Sequence, residues 1–318
     1  GAAIATKMTP TDWLKITTSF AHTEFNMRPD VGVPVYRQGP NATTGGRVIG
    51  NFEPMPQTFT SRNTWYGQVY RDFYKSKSDI GTVRLDAALA DGLTLSNATR
   101  YGKTSIDYIG SIPQSVNVIN PNPNLWTVQT GAQSRYQENQ NVTNQTDLTY
   151  KFDTGPVKHT TVVGMEFANE RVWYASYSGL TSELAGTPII GGGVTQNLFY
   201  PNNFLSWSDP FLNRNNRTLL TADTKSVYLI ETANYNDFII LNGGVRYDNY
   251  KVNVSQGMNA NTVSSDNVNY NLGLTIKPVK ELSIYAAMAT SSNPLGAEFD
   301  SGSIAYGGLP TQPNAITN

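Results

Sequence analysis

The chain has 318 residues, enough for one large β domain or two ordinary domains. Only 15% of them are charged, against roughly 25% in an average soluble domain, and the formal net charge of -1 leaves no basic footprint for nucleic acid. There is no cysteine, which excludes disulfides and zinc–thiolate sites, and no apolar run of the 18 or so residues that a transmembrane helix needs.

The predicted elements are strands. Ile4 to Met8 turns at Thr9-Pro10-Thr11-Asp12 into Leu14, Ile16 and Phe20. Next, Val83, Leu85, Ala87 and Leu89 alternate with Thr82, Arg84, Asp86 and Ala88, the period of a strand with one apolar and one polar face. Asp91-Gly92 is a tight hairpin signal leading straight into Leu93-Thr94-Leu95-Ser96. Leu148, Tyr150 and Phe152 pass through Thr154-Gly155-Pro156-Val157-Lys158 into Val163, Met165 and Phe167, which alternate with Val162, Gly164 and Glu166. Val227 and Leu229 turn at Tyr235-Asn236-Asp237 into Ile239, Leu241, Val245 and Tyr247, interleaved with Asn242, Gly244, Arg246 and Asp248. Finally, Tyr270, Leu272, Leu274 and Ile276 lead through Lys277-Pro278-Val279-Lys280-Glu281 into Leu282, Ile284, Ala286 and Met288.

About ten strands result, joined alternately by turns of a few residues and by long loops at about 26–77, 110–140, 175–223 and 255–266. Unstructured connections longer than about 12 to 15 residues are uncommon in compact soluble domains. Short turns on one side, long loops on the other, and apolar-out, polar-in alternation are the pattern of an outer-membrane barrel. Aromatics gather near strand ends as a girdle would, with Trp13, Tyr150, Phe152, Tyr235 and Phe238 beside short turns and Tyr101, Tyr108, Trp173, Tyr174, Tyr247 and Tyr250 toward long loops. No fixed internal period speaks for a propeller or solenoid. The expected fold is all-β, a transmembrane antiparallel up-and-down β-barrel domain over 1–318. The contrasting class is a soluble all-β binding protein such as a sandwich-type lectin.

Chemistry is sparse. The two histidines, His22 and His159, stand far apart, so a metal site or a Ser-His-Asp triad is not expected, and neither is an enzyme; a barrel lipase or protease would need one of them beside a nucleophile. Gly191-Gly192-Gly193 lacks the Lys-Ser/Thr and helix of a phosphate loop. The most distinctive stretch runs from Arg62-Asn63-Thr64-Trp65-Tyr66-Gly67 to Tyr70-Arg71-Asp72-Phe73-Tyr74-Lys75. Aromatic faces interleaved with Arg suit a flat, electron-rich, anionic ligand such as a ferric catecholate. The same stretch also reads as the ordered return of a loop onto its strand, with Arg71 and Asp72 paired inside the wall.

Four stretches resemble a known family: Arg28-Pro29-Asp30-Val31-Gly32-Val33-Pro34-Val35-Tyr36; Trp65-Tyr66-Gly67 with Arg71-Asp72-Phe73-Tyr74-Lys75 and Asp79-Ile80-Gly81-Thr82-Val83-Arg84; Gly243-Gly244-Val245-Arg246-Tyr247-Asp248; and Ala289-Thr290-Ser291-Ser292-Asn293-Pro294-Leu295-Gly296. They resemble the TonB-dependent siderophore receptors of Gram-negative outer membranes, and within these the catecholate receptors of the Fiu and PiuA type. The resemblance implies about ten strands from the middle of a 22-stranded barrel, with the plug domain and its TonB-contacting box outside this sequence. It also implies a function, the TonB-energised import of a ferric siderophore, with a related chelate or a carbohydrate as the alternative cargo. The implied partners are the siderophore, outer-membrane lipids and lipopolysaccharide, and TonB through the plug. No resident cofactor or metal is implied. Arg28, Trp65, Tyr66, Tyr70, Arg71 and Tyr74 are the candidate ligand contacts.

Overall fold

The computed structural model describes residues 1–34, 60–61, 63–184, 187–189, 191–256 and 259–292; Val35, Tyr36, Arg62 and the motif residues 293–296 lie outside these. In chain order the strands are β1 (Ala2–Thr11), β2 (Leu14–Met27), β3 (Phe73–Ala90), β4 (Leu93–Asn117), β5 (Thr127–Thr154) and β6 (Val157–Ala175). Five short ones follow, β7 (Tyr177–Ser178), β8 (Ser182–Leu184), β9 (Thr187–Ile189), β10 (Val194–Asn197) and β11 (Phe211–Leu212). The last four are β12 (Thr218–Tyr235), β13 (Ile239–Gln256), β14 (Asn259–Val279) and β15 (Leu282–Ala289).

The ten long strands form one antiparallel sheet in the order β1-β2-β3-β4-β5-β6-β12-β13-β14-β15, so long strands that follow one another in the chain are also neighbours in space. This is up-and-down topology, and β1 and β15 are its two edges among the described residues. No described helix is long and apolar enough to cross a membrane. The short turns use the backbone their sequence demands. Asn236 and Asp237 both have positive φ (50° and 58°), as a type I′ hairpin requires. Gly92 has φ +72° and lies against the Lys151 carbonyl, where an added Cβ would come within 2.2 Å.

Register fixes which residues share a face. Leu14, Ile16, Thr18 and Phe20 of β2 pair with Ala87, Leu85, Val83 and Gly81 of β3. Those residues continue into Leu95, Thr99 and Tyr101 of β4, and the row reaches Val163, Leu229, Val245 and Tyr270 farther along the sheet. Nearly every large apolar residue of this face is solvent-exposed, Val163 at 53% and Ile284 at 57% among them. A continuous exposed apolar face would be an aggregation liability in water, but it is what a bilayer requires of strands whose backbone groups are all paired sideways. On β3 the band runs from Leu89 to Gly81, close to the 9–11 residues a tilted strand needs to cross.

The opposite face is polar and bonded to itself. Asp86 takes Arg84 Nη2 at 2.8 Å, Ser96 Oγ at 2.8 Å and Lys15 Nζ at 3.6 Å. Arg246 reaches Asp248 at 2.8 Å, Ser226 at 2.8 Å and Glu166 at 3.5 Å. Tyr228 donates to Asp147, accepts from Gln145 at 2.8 Å, and lays its ring across Gly164, where an added Cβ would sit 2.2 Å from it. Two regions depart from the simple alternation. High on the inner face Val172, Leu220, Ala222, Tyr250, Val252 and Val254 form an apolar cluster. Within the outer band, Asn97 Nδ2 donates to Asn144 Oδ1 (3.2 Å) and Thr146 (2.7 Å), while Asn144 Nδ2 donates to Asn97 Oδ1 (3.3 Å) and Thr99 (2.7 Å). This polar ladder closes on itself, hiding its amide protons from lipid.

The loops are shorter than the sequence suggests. Ser111 pairs with Ala132 and Asn117 with Thr127, so the loop expected at 110–140 shrinks to 118–126. The loop expected at 255–266 is a hairpin closed by Gln256↔Asn259. The other two span 28–72 and 176–217, the latter carrying β7 to β11. Outside the membrane both faces of a strand meet water, so Thr, Ser and Asn occupy both and period-2 contrast vanishes while the ladder continues. Tyr108, Tyr174 and Tyr250 are likewise not part of an outer girdle. Their register turns them to the inner face, because Tyr108 pairs with Tyr74 and Arg135, Tyr174 with Gln137, and Tyr250 with Thr224.

Candidate functional site

The two long loops meet over the extended β4–β5 hairpin in a cluster organised by one buried ion pair. Arg71 Nε donates to Asp72 Oδ1 at 2.7 Å, with the side chains 1% and 0% exposed. Its other nitrogens donate to the Gly192 carbonyl (2.7 Å) and Ser111 Oγ (2.6 Å), and Ser111 donates to Asp72 Oδ2 (2.7 Å). Trp207 caps the guanidinium, 4.1 Å from its ring centroid. Beside it Gln68 donates to the Asn202 carbonyl at 2.8 Å, while its own amide oxygen accepts from Leu205 N and Trp207 Nε1, both at 3.3 Å. A buried pair this well bonded is structural: each charge depends on the other for solvation. Tyr66 sits below in an apolar core with Val128 and Leu198, donates to the Leu198 carbonyl at 2.7 Å, and has its phenol pKa pushed up by burial.

A second assembly faces inward. Phe25 meets Tyr74 edge-on at 6.5 Å, and Tyr74 stacks on Tyr108 at 5.9 Å. Tyr108 is the cross-strand partner of Arg135, whose guanidinium lies 4.2 Å over the Tyr174 ring. The row therefore crosses β2, β3, β4, β5 and β6 on a single face. Where β6 ends at Ala175, the edge of β5 opens into a cleft of about 740 Å³ lined by Tyr108, Ser134, Arg135, Tyr174, Tyr177 and Gly191. Tyr177 donates to Asp107 at 2.8 Å and packs edge-on against Phe73 at 6.0 Å; burial first, then the Asp107 hydrogen bond, push its phenol pKa above the ordinary range. The cleft thus offers stacking faces, one stacked cation and neutral phenols, a lining suited to a flat anionic aromatic.

The sequence-predicted residues divide accordingly. Arg71 and Tyr66 are 4% and 2% exposed and face the protein rather than a ligand. Trp65 ties the loop down, donating to the Pro29 carbonyl at 3.0 Å. Tyr70 is open to solvent and packs edge-on against Phe204 at 6.3 Å, and Arg28 is exposed just after β2. Tyr74 belongs to the inward row. The sequence reading missed Arg135 and Tyr177 because both fall in stretches read as loop, and it assigned Tyr108 and Tyr174 to a girdle. Their one sequence signal is aromatic and Arg density, which carries no face information without the register. The two histidines are hydrogen-bonded far apart, His22 to Asp79 (2.7 Å) and His159 to Glu231 (2.8 Å) and Thr154 (2.7 Å). Among the described residues no group of three or more His, Asp or Glu could hold a metal.

Residues 15–318 match the family described as TonB dependent receptor-like, beta-barrel. The chain is 28% identical over 308 residues to the probable TonB-dependent siderophore receptor PiuA of Acinetobacter baumannii, covering 91% of this chain and 38% of that protein. It is 27% identical over 246 residues to the catecholate siderophore receptor Fiu of Escherichia coli K12, covering 74% and 30%. The crystal structure of Fiu in its closed form superposes with a TM-score of 0.75 at 20% identity, over 93% of this chain and 44% of that one. That of Acinetobacter baumannii PiuA gives 0.73 at 24% identity, over 93% and 42%. The chain spans well under half the length of these relatives. The matched family, the exposed apolar band and the up-and-down sheet agree: this chain belongs to the TonB-dependent receptor β-barrel family, proteins of the Gram-negative outer membrane.

Proposed function

We propose that the chain is wall and loop of a receptor that binds a ferric catecholate siderophore and imports it with energy from TonB, transmitted through a plug domain. The observation that carries this reading is the inward row of Phe25, Tyr74, Tyr108, Arg135 and Tyr174 beside the Tyr177 cleft. A ferric catecholate presents flat, electron-rich rings around a metal it already ligates, and it carries negative charge. Stacking on tyrosine and a charge-assisted contact with a guanidinium are what such a surface needs. The iron is cargo here, and the protein need not supply a ligand to it. Arg28 and Tyr70 extend the site at its exposed rim, while Trp65, Tyr66 and Arg71 act behind it by fixing the loops.

Uptake of iron-labelled ferric catecholate by cells expressing the full-length receptor tests this. Arg135→Ala is expected to lower uptake by about tenfold or more, the worth of a desolvated cation–aromatic contact. Tyr174→Ala should act in the same direction, and Tyr70→Ala more weakly. Unchanged uptake in Arg135→Ala would remove Arg135 from the site, and no receptor-dependent uptake of ferric catecholate by the wild type would sink the catecholate reading and favour another chelate or a carbohydrate as cargo.

A further inference from the structure

The inward face of β5 leads down from the cleft into the lumen. Below Arg135 its inward side chains are Gln137, Asn139, Asn141, Thr143 and Gln145, a neutral run of donors and acceptors that ends at Asp147. Gln137 Nε2 donates to Asn139 Oδ1 at 2.8 Å. Asn141 lays its amide across Gly102 of β4, where an added Cβ would come within 2.1 Å of its Oδ1.

Beside this run stands Arg100. It pairs with Thr82 of β3 and Thr143 of β5 and shares their inward face, about 27 Å along β5 below Arg135. Arg100 is exposed and, among the described residues, has neither a hydrogen-bond nor an ion-pair partner. One row up lie Ile80, Gly102 and Asn141, and one row down Arg84, Ala98 and Gln145, with no carboxylate among them. The other guanidiniums of the inner polar network are fixed, Arg84 by Asp86, and Arg246 by Asp248, Ser226 and Glu166.

We propose that Arg100 is a second station for the anionic cargo, reached from the cleft along the amide run of β5. A cation meant for a permanent partner is oriented by its neighbours, as Arg84 and Arg246 are. Arg100 has no fixed partner, and only Ala98 and Gly102 flank it on the inward face of its own strand, so its guanidinium keeps the freedom to meet a passing anion. The neutral amides between Arg135 and Arg100 can hydrogen-bond an anion without the charge that would trap it, and a cargo that must move on needs sites that are several and individually weak. The station rests on the reading of the cargo as an anionic ferric catecholate.

Cells expressing the full-length receptor test it, with binding of iron-labelled ferric catecholate measured after the proton-motive force is dissipated and uptake measured when it is restored. Arg100→Gln is expected to keep the binding affinity and to lower the maximal uptake rate by about tenfold, the order of one charge-assisted hydrogen bond. Arg100→Lys should restore most of that rate, and Lys103→Gln, on the outer face of the same strand, should change neither quantity. Entry of a bulky hydrophilic antibiotic reports whether a plug has been loosened, and it should stay at the wild-type level in Arg100→Gln. An unchanged uptake rate in Arg100→Gln, a fall accompanied by antibiotic entry, or an equal fall in Lys103→Gln would each overturn the station while leaving the catecholate reading intact. A wild type that takes up no ferric catecholate would remove that reading and the station with it.

Discussion

The wall and the loop cluster are stabilised in opposite ways. In the wall, each strand between the edges is tied to two neighbours by a long ladder, and its side chains contribute individually small terms to the apolar band and the inner polar network. In the cluster a few side chains do most of the joining. Arg71 links the first long loop both to Ser111 on β4 and to the Gly192 carbonyl of the second. The lesson is that a barrel tolerates scattered substitution where the ladder carries the load, whereas its long loops depend on a small number of buried polar groups.

The sharpest way to break this contrast is Arg71→Ala. It leaves Asp72 charged and buried without its partner, and the expected cost is about 3–5 kcal/mol, confined to the loops. Hydrogen exchange should rise across 176–217 while the sheet keeps its protection; uniform loosening of both would erase the distinction. Next comes Val163→Arg, which puts a charge in the apolar band and should destabilise the barrel in bilayers by about 2–4 kcal/mol, read from denaturant unfolding. Leaving the loops' exchange unchanged, it is the mirror image of the first.

Smaller is Asn144→Leu, which leaves the Asn97 amide oxygen without its donor and its Nδ2 with Thr146 alone, at about 1–3 kcal/mol. The double variant Asn97→Leu/Asn144→Leu removes both partners and should recover most of that loss, so an additive double loss would contradict a self-closed ladder. The smallest effect is alkaline. Tyr66 and Tyr177 have phenol pKa values raised above the usual 10.0 in the folded cluster. Their contribution is complete below that value and is lost as pH climbs through the raised one. Loop exchange should therefore increase above about pH 10 before the sheet responds.

Much of the wall was legible from sequence because lipid enforces the contrast between faces: Val83, Leu85 and Leu89 against Arg84 and Asp86 need no further information. Legibility ended where lipid did. From Ser111 to Asn117 and from Ala260 to Ser265, polar and apolar residues mix on both faces with no period-2 contrast, so strand and loop look alike although the pairing continues. The site suffered from a related ambiguity. Arg71 and Arg135 sit in equally aromatic surroundings, yet one is enclosed by Asp72, Ser111 and Trp207 and the other lines a cleft. Long-range contact decides between them: Arg71 is enclosed by partners 40 and 121 positions away.

The length of the β4–β5 pair has a further consequence. These strands run 25 and 28 residues, well over twice the 9–11 that crossing a bilayer takes. The surplus is a stalk: Arg135 pairs with Tyr108, about 20 Å along the strand beyond the last outward apolar row at Tyr101, farther than the ~8 Å over which a charge is felt in physiological salt. On the proposed function, an anionic cargo would meet the guanidinium in bulk electrolyte, before it meets the membrane's own charge.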